Sequence, residues 1–493
     1  MRRATMFSTL CAVLVVAATA VPAADIPDRP EKLSFPELQF EVPDAAALRF
    51  ELADGTPVYA KRDTEFPLID ITVFFRGGRY LEPAGKAGLA AITGDAWRSG
   101  GAGERTAQEL DEELDFLAAN LSTSIGDVTG SVSLNVLSKD LEAAMAILMD
   151  VLTAPRFQQD RFDKTRDNLL QAMKQRNDDA ADIEDREWQR LVYGDGYWMN
   201  RLPTRASVDA ITASDAKKLV SSLVRSGNLV VAVAGDFEPV AMQALLNRTI
   251  GSLPALETPL PPVPQPEHEP KSGVYVIDKA DVNQGRVSIG RIGFREGHPL
   301  EFPLRIGVDI LGGGGFTARM MKRIRSDEGL AYSAYASLGF PVTMPGDFRA
   351  YFQSKSSTCA FAAEIFFDLL EAMRTAPPTD EELRTAKASF IETFPRRFAT
   401  AAQTVGLFAT DELLGRDHAY WSAYRERVAA VDGEDVQEAM KAALDPDTML
   451  MLVVGNIEEI LQGHPEHEAK LSDFGEIVKL PLRDPMTLEP IAE

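Results

Sequence analysis

The sequence repeats itself. Ser207-Val208-Asp209-Ala210-Ile211 leads into a helical stretch from Ser214 and then a strand, Asn228–Ala234, that ends in Gly235-Asp236. Near the other end, Arg427-Val428-Ala429-Ala430-Val431 leads into a helical stretch from Glu434 and a strand, Met449–Val454, that ends in Gly455-Asn456. One offset pairs Val208 with Val428, Asp215 with Asp435 and Gly235 with Gly455, and the same offset pairs Phe74 with Phe294 and Gly77 with Gly297. A constant offset at both ends marks a duplication rather than a chance likeness of two units. Such a chain must find one fold twice. Between the repeats lies a stretch dense in proline: Pro254, Pro259, Pro261, Pro262, Pro264, Pro266 and Pro270. Proline fixes φ and removes a backbone donor, so this stretch is expected to be an extended, semi-rigid spacer. The chain therefore divides into an N-terminal half over 46–252, a linker over 253–271 and a C-terminal half over 272–480.

Each half mixes strands and helices. Val128, Gly130, Val132, Leu134 and Val136 alternate with mostly polar neighbours, as in a half-buried strand. Leu141, Met145, Leu148, Met149 and Leu152 recur at helical spacing, and that helix must stop before Pro155. Leu110, Leu114 and Leu117 mark another amphipathic helix. The apolar runs Leu229–Ala234 and Met449–Val454 are strand-sized. The pattern predicts an α+β fold in which each half is a mostly antiparallel sheet with helices packed on one face.

Positions 1–23 predict a signal peptide. Arg2 and Arg3 precede an apolar stretch from Leu10 to Val21, and Val21-Pro22-Ala23 places small residues where cleavage needs them, with Ala20 as the second choice of cleavage site. The chain is thus expected to be exported, and periplasmic if bacterial. Cys11 lies in the leader, so Cys359 would remain alone and no intramolecular disulfide could form. No later apolar run approaches the length that a bilayer-spanning helix needs, so no membrane span is expected after the leader is removed. Lys and Arg number 51 against 74 Asp and Glu, a formal net charge of −23, which argues against a nucleic-acid partner.

The order of elements resembles the insulinase/pitrilysin-like zinc peptidase family in its two-domain bacterial and mitochondrial form. The resemblance spans about residues 46–475. It rests on Phe75-Arg76-Gly77-Gly78-Arg79, on Ala87-Gly88-Leu89-Ala90, on Leu311-Gly312-Gly313-Gly314-Gly315-Phe316, and above all on Arg325 to Tyr332, which reads Arg-Ser-Asp-Glu-Gly-Leu-Ala-Tyr. In active members of that family, the Gly-Leu-Ala of the first half runs into H-x-x-E-H. The two His bind zinc from one helix face, the Glu acts as general base, and a downstream Glu completes the ligand set.

Here that stretch is Ala91-Ile92-Thr93-Gly94-Asp95. Ala91 and Asp95 stand at the His positions and Gly94 at the Glu. The downstream region, Leu170-Gln171-Ala172-Met173, also lacks a carboxylate. The five histidines are 268, 298, 418, 464 and 467, so residues 1–267 cannot build a two-His site. One carboxylate does not hold catalytic zinc, which takes about three protein ligands, and Asp95 is expected to be solvated or capping. His464-Pro465-Glu466-His467 has a metal-like spacing in a polar, Pro-containing setting that points to a surface loop. No G-x-S-x-G elbow supports a serine hydrolase, and no G-K-[ST] follows Gly312–Gly315 to make a phosphate loop. Those glycines instead allow close backbone approach or a mobile turn.

The resemblance implies that Arg325 and Tyr332 bind substrate backbone near the scissile bond from the second half. A guanidinium offers several donors to peptide carbonyls, and a phenol can donate to a developing oxyanion. The expectation is therefore a non-catalytic, zinc-free subunit of an exported heterodimeric metallopeptidase, holding peptide while a zinc-bearing homologous partner supplies the metal site. The rivals are a purely structural member of the family and a self-sufficient hydrolase.

Overall fold

Alternation of buried and half-buried residues organises two sheets. The structure, a computed structural model, describes residues 38–491 together with Arg29 and Leu33; the expected signal peptide at 1–23 lies outside the described residues. The first sheet is built from β1 (Arg49–Glu51), β2 (Pro57–Arg62), β3 (Leu68–Arg76), β4 (Asn120–Ile125), β5 (Thr129–Leu137) and β6 (Leu229–Gly235), in the order β1-β2-β6-β3-β5-β4. The second contains β7 (Gly273–Asp278), β8 (Gln284–Ile292), β9 (Ala331–Leu338), β10 (Asp347–Lys355), β11 (Leu450–Gly455) and β12 (Ile477–Lys479), in the order β12-β7-β11-β8-β10-β9. In the first sheet only β2 and β6 run parallel; in the second, β7 runs parallel to both β11 and β12. The fold is α+β and duplicated, as the sequence predicts.

The local signals explain the elements. In β5, Gly130, Val132, Leu134 and Val136 are buried and their neighbours half-buried. The helix Leu141–Thr153 buries Ala144, Met145, Ile147, Leu148, Val151 and Leu152, and ends before Pro155. Thr212 and Asp432 cap the helices Ala213–Leu223 and Gly433–Ala443. Each has an Asp on the first turn, Asp215 or Asp435, that closes a capping box, which is why those two positions repeat.

Strand register corrects the repeat at its start. Phe74 faces Val230 across the first sheet, and Gly290 faces Leu450 across the second. The counterpart of Phe74 is therefore Gly290 and not Phe294, which like Gly297 lies beyond the end of β8. The offset read from the sequence holds only toward the end of each half. Short length changes within the halves separate the two registers, and glycine and phenylalanine are too common for two such pairings to fix one.

Each half also gives a helix to the other. The helix Ala180–Tyr193 of the first half packs on β8 and β11, and the helix Ala401–Leu414 of the second packs on β2, β3 and β6. The apolar runs of β6 and β11 follow from this, because a strand covered on both faces has no polar side. Leu229, Val231 and Val233 of β6 join the core of the first half, leaving Val230, Ala232 and Ala234 for the opposite face. In β11, Leu450, Leu452 and Val454 pack with Ile183, Trp188 and Val192 of the first half.

Charged groups lock both exchanges. Glu184 has no exposed surface; it accepts hydrogen bonds from Ser288 and Arg286 of β8 and lies 3.3 Å from Arg349 of β10. On the other side, Glu412 accepts from Tyr59 Oη at 2.5 Å and from Arg49 Nε at 2.9 Å. The proline linker is pinned rather than free. Tyr80 Oη donates to the Pro261 carbonyl at 3.1 Å, and Tyr197 Oη and Trp198 Nε1 donate to that of Pro264 at 3.1 and 3.3 Å.

Glu184→Ala should cost about 3–5 kcal/mol, because it leaves Arg286 at this interface without its counter-ion, while Arg349 keeps only Asp185. Removing the exposed Arg62–Glu238 pair should cost about 0–1 kcal/mol. Urea unfolding of both variants checks the difference.

Candidate functional site

The helix Leu89–Ser99 carries the positions that the resemblance assigns to zinc. It starts after Gly88, whose φ of 101° is left-handed, and the Glu82 carboxylate accepts from Gly88 N at 3.2 Å and Ala90 N at 2.7 Å. Ala91 and Asp95 lie one turn apart and line a cavity of about 530 Å³ beside the helix Gln159–Lys174. That neighbour contributes Arg161, Lys164, Asn168 and Ala172. Asp95 is the only carboxylate on this cavity among the described residues, and burial raises its pKa from the ordinary value. Ala172 lines the wall where the sequence already lacks a downstream carboxylate. One acid flanked by two cations does not fit a zinc site, and among the described residues no three His, Cys, Asp or Glu side chains cluster suitably for a metal.

Gly94 faces elsewhere. A Cβ placed on it would lie 2.9 Å from Ile125 N of β4, and its carbonyl accepts from Thr123 Oγ1 at 2.7 Å. The position has neither a catalytic side chain nor the room for one. The histidines do not compensate. His464 and His467 are themselves half-buried, in a loop whose Pro465 and Glu466 are exposed; their ring centroids are 4.8 Å apart, and His467 stacks on Phe361 at 3.7 Å.

The structure does bring Arg325 and Tyr332 together. Arg325 lies in a π-helical turn, Met321–Asp327; Gly329 then turns the chain with φ 63°, and Tyr332 is the second residue of β9. The Arg325 guanidinium carbon is 4.8 Å from the Tyr332 ring centroid. It is also 4.8 Å from the ring of Phe316, a residue that sequence patterning leaves without a role. Tyr332 is 84% exposed and Phe316 75%. Arg319, from the same segment of chain, is held by Glu382 through two bonds of 2.7 and 2.8 Å. Arg325 pairs with no carboxylate among the described residues, so its donors are open to a ligand.

The glycine run sets this geometry. A Cβ on Gly312 would lie 2.3 Å from Ala336 N, so only glycine lets the turn lie against β9, and Gly315 has φ 62° immediately before Phe316. Gly312 and Gly313 belong to a second π-helical turn, Asp309–Gly313, rather than to a loose loop. Asp309, at its start, is pushed up to about 6 by burial and lines a cavity of about 430 Å³ with Phe316, Arg319 and Glu382. This cavity and the one beside Asp95 share no lining residue.

Two duplicated halves with this helix and this arginine–tyrosine pair define an M16-type peptidase fold. Residues 58–202 match the insulinase (peptidase family M16) model, and 210–390 match the peptidase M16 inactive domain. The chain belongs to this family. It is 24% identical over 409 residues to the "non-peptidase homolog YmxG" of Helicobacter pylori, covering 81% of this chain and 92% of that protein. It is 26% identical over 289 residues to an uncharacterized zinc protease of Mycobacterium leprae, covering 58% of this chain and 64% of that one. In fold it is similar to a peptidase M16 inactive domain from Pseudomonas fluorescens, with a TM-score of 0.73 at 22% identity, covering 83% of this chain and 97% of that structure. It is also similar to the periplasmic protease PqqL from Escherichia coli, with a TM-score of 0.70 at 17% identity; the match covers 82% of this chain but only 45% of PqqL.

Restoring the motif should fail. Gly94→Glu should cost about 1–3 kcal/mol by forcing β4 away. The triple variant Ala91→His, Gly94→Glu, Asp95→His should still bind no stoichiometric zinc by metal analysis, since Ala172 supplies no further ligand. Asp309 gives a pH signature. Its folded-state pKa is raised, so its contribution to stability is complete below about pH 4 and is lost as pH rises through about 6. Asp309→Asn should flatten that decline in thermal melts between about pH 4 and 7.

Proposed function

We propose that this chain is the zinc-free subunit of an exported, heterodimeric M16 peptidase. It closes the chamber and holds extended peptide through Arg325 and Tyr332, while a zinc-bearing homologous chain cuts the bond. One observation carries this reading: the Arg325 guanidinium is fixed against an exposed tyrosine with no acid, among the described residues, to neutralise it. A scaffold has no use for an unpaired arginine set between two exposed aromatic rings. Arg319, one short stretch earlier, shows how this fold treats an arginine with only a structural task. The leader supports export, and the donor set missing at Ala91, Gly94 and Asp95 makes a second, metal-bearing chain necessary for hydrolysis.

The chemistry follows from the two side chains. The guanidinium edge presents coplanar N–H donors to peptide carbonyls, and the phenol donates one O–H toward charge developing at the bond being cut. Tyr332→Phe should slow the reconstituted complex by roughly 100- to 1000-fold, and Arg325→Lys should also impair it, because an ammonium cannot reproduce the planar fork. Both variants should fold and assemble normally by thermal melt and light scattering. Wild-type turnover in Tyr332→Phe would instead identify a purely structural subunit.

A further inference from the structure

The cavity beside Asp95 does not fit zinc, but it is not inert. The two helices that wall it run in opposite directions. A Cβ on Gly88, at the start of one, would lie 3.3 Å from Leu169, while at the other end Arg161 reaches Asp111 at 3.7 Å and Asp111 in turn pairs with Arg98. The cavity is therefore apolar at one end, between Ala91 and Leu169, and charged toward the other, between Asp95, Arg161 and Lys164. The hydroxyls there are already spent on backbone: Ser99 Oγ donates to the Asp95 carbonyl at 2.9 Å and Thr165 Oγ1 to the Arg161 carbonyl at 3.1 Å. The charges are not spent. Among the described residues Asp95 and Lys164 form no ion pair, with each other or with any other group, and the single pair of Arg161 is too long for a hydrogen bond. One acid and two bases thus face a cavity of about 530 Å³, a volume typical of ligand sites, without closing on one another.

We propose that this cavity binds the C-terminus of a peptide: Arg161 and Lys164 take the terminal carboxylate, and Asp95 accepts the N–H of the last peptide bond. A peptide end carries an anion and an N–H donor one carbon apart, the pairing that two bases and one acid recognise through charge-assisted hydrogen bonds. An internal acidic side chain offers the same anion with its backbone N–H further away. Arg325 and Tyr332 do not line this cavity, so the site goes beyond the substrate-holding reading above and does not rest on it.

Four heptapeptides of one Gly/Ser/Ala sequence, each with fluorescein on its N-terminus, test this by anisotropy with the purified chain at low salt. They are a free acid, its C-terminal amide, the amide with a central Glu, and the free acid with an ester in place of the last amide. The free acid should bind about tenfold more tightly than the amide, as one charge-assisted hydrogen bond provides. The double variant Arg161→Gln, Lys164→Gln should bring that ratio within about twofold, while Lys164→Arg should keep it. Both should melt like wild type, because neither side chain is buried. The ester, which lacks the last N–H, should bind more weakly than the free acid to wild type and equally to Asp95→Ala. Equal binding of acid and amide by wild type, or a ratio that survives in the double variant, would overturn the site. So would a Glu-containing amide that matches the free acid, an ester that binds wild type like the free acid, or failure of every probe to bind. Arg325→Ala should leave the acid-to-amide ratio unchanged whatever it does to each affinity, so this site and the substrate-holding reading fail separately.

Discussion

The architecture depends on the reciprocal exchange of two helices. Neither sheet is finished by its own half. Each has one face under its own helices, and the middle of the other face is covered by a helix from the opposite repeat. The acids that lock these contacts, Glu184 and Glu412, each bind groups on the opposite half's strands. Fully burying one large apolar side chain contributes about 1.5–3 kcal/mol, and several such residues meet in each exchange. The halves are therefore held in one fixed relation by core packing as well as by the linker. The arginine–tyrosine site draws on this rigidity, because β9 belongs to a sheet anchored from both faces and the π-helical turn packs against β9.

Much of the fold was legible because its signals are local. Alternation in Thr129–Leu137, helical spacing in Leu141–Thr153 and the proline run each report on neighbours in sequence. The exchange was not legible, although its trace was. The unbroken apolar runs of β6 and β11 state that both faces are covered, but say nothing about what covers them. The start of the repeat misleads for a related reason: register is set by pairing across the sheet, and Phe74 faces Val230 as Gly290 faces Leu450.

At the site, absence was easier to see than presence. Five histidines, none before His268, settle the donor question for the first half from composition alone. That Gly94 is pressed against β4 required coordinates, because only distance shows that a glycine is sterically obligatory. Phe316 escaped for the opposite reason. Beside four glycines it looks like the end of a turn, and its value arises only where the chain folds it onto Arg325. The glycines themselves have separate tasks, Gly312 by close approach and Gly315 by its left-handed backbone.

The helix exchange also sets a schedule for the chain's birth. β6 is complete at Gly235, but the helix that covers its second face ends at Leu414. At about 5–20 residues per second, a ribosome needs roughly ten to forty seconds to make the intervening chain. Throughout that interval Val230, Ala232 and Ala234 have nothing of their own half to cover them. In that interval the first half can gather its own core around Leu229, Val231 and Val233, but the second face of its sheet is finished only when the missing helix arrives.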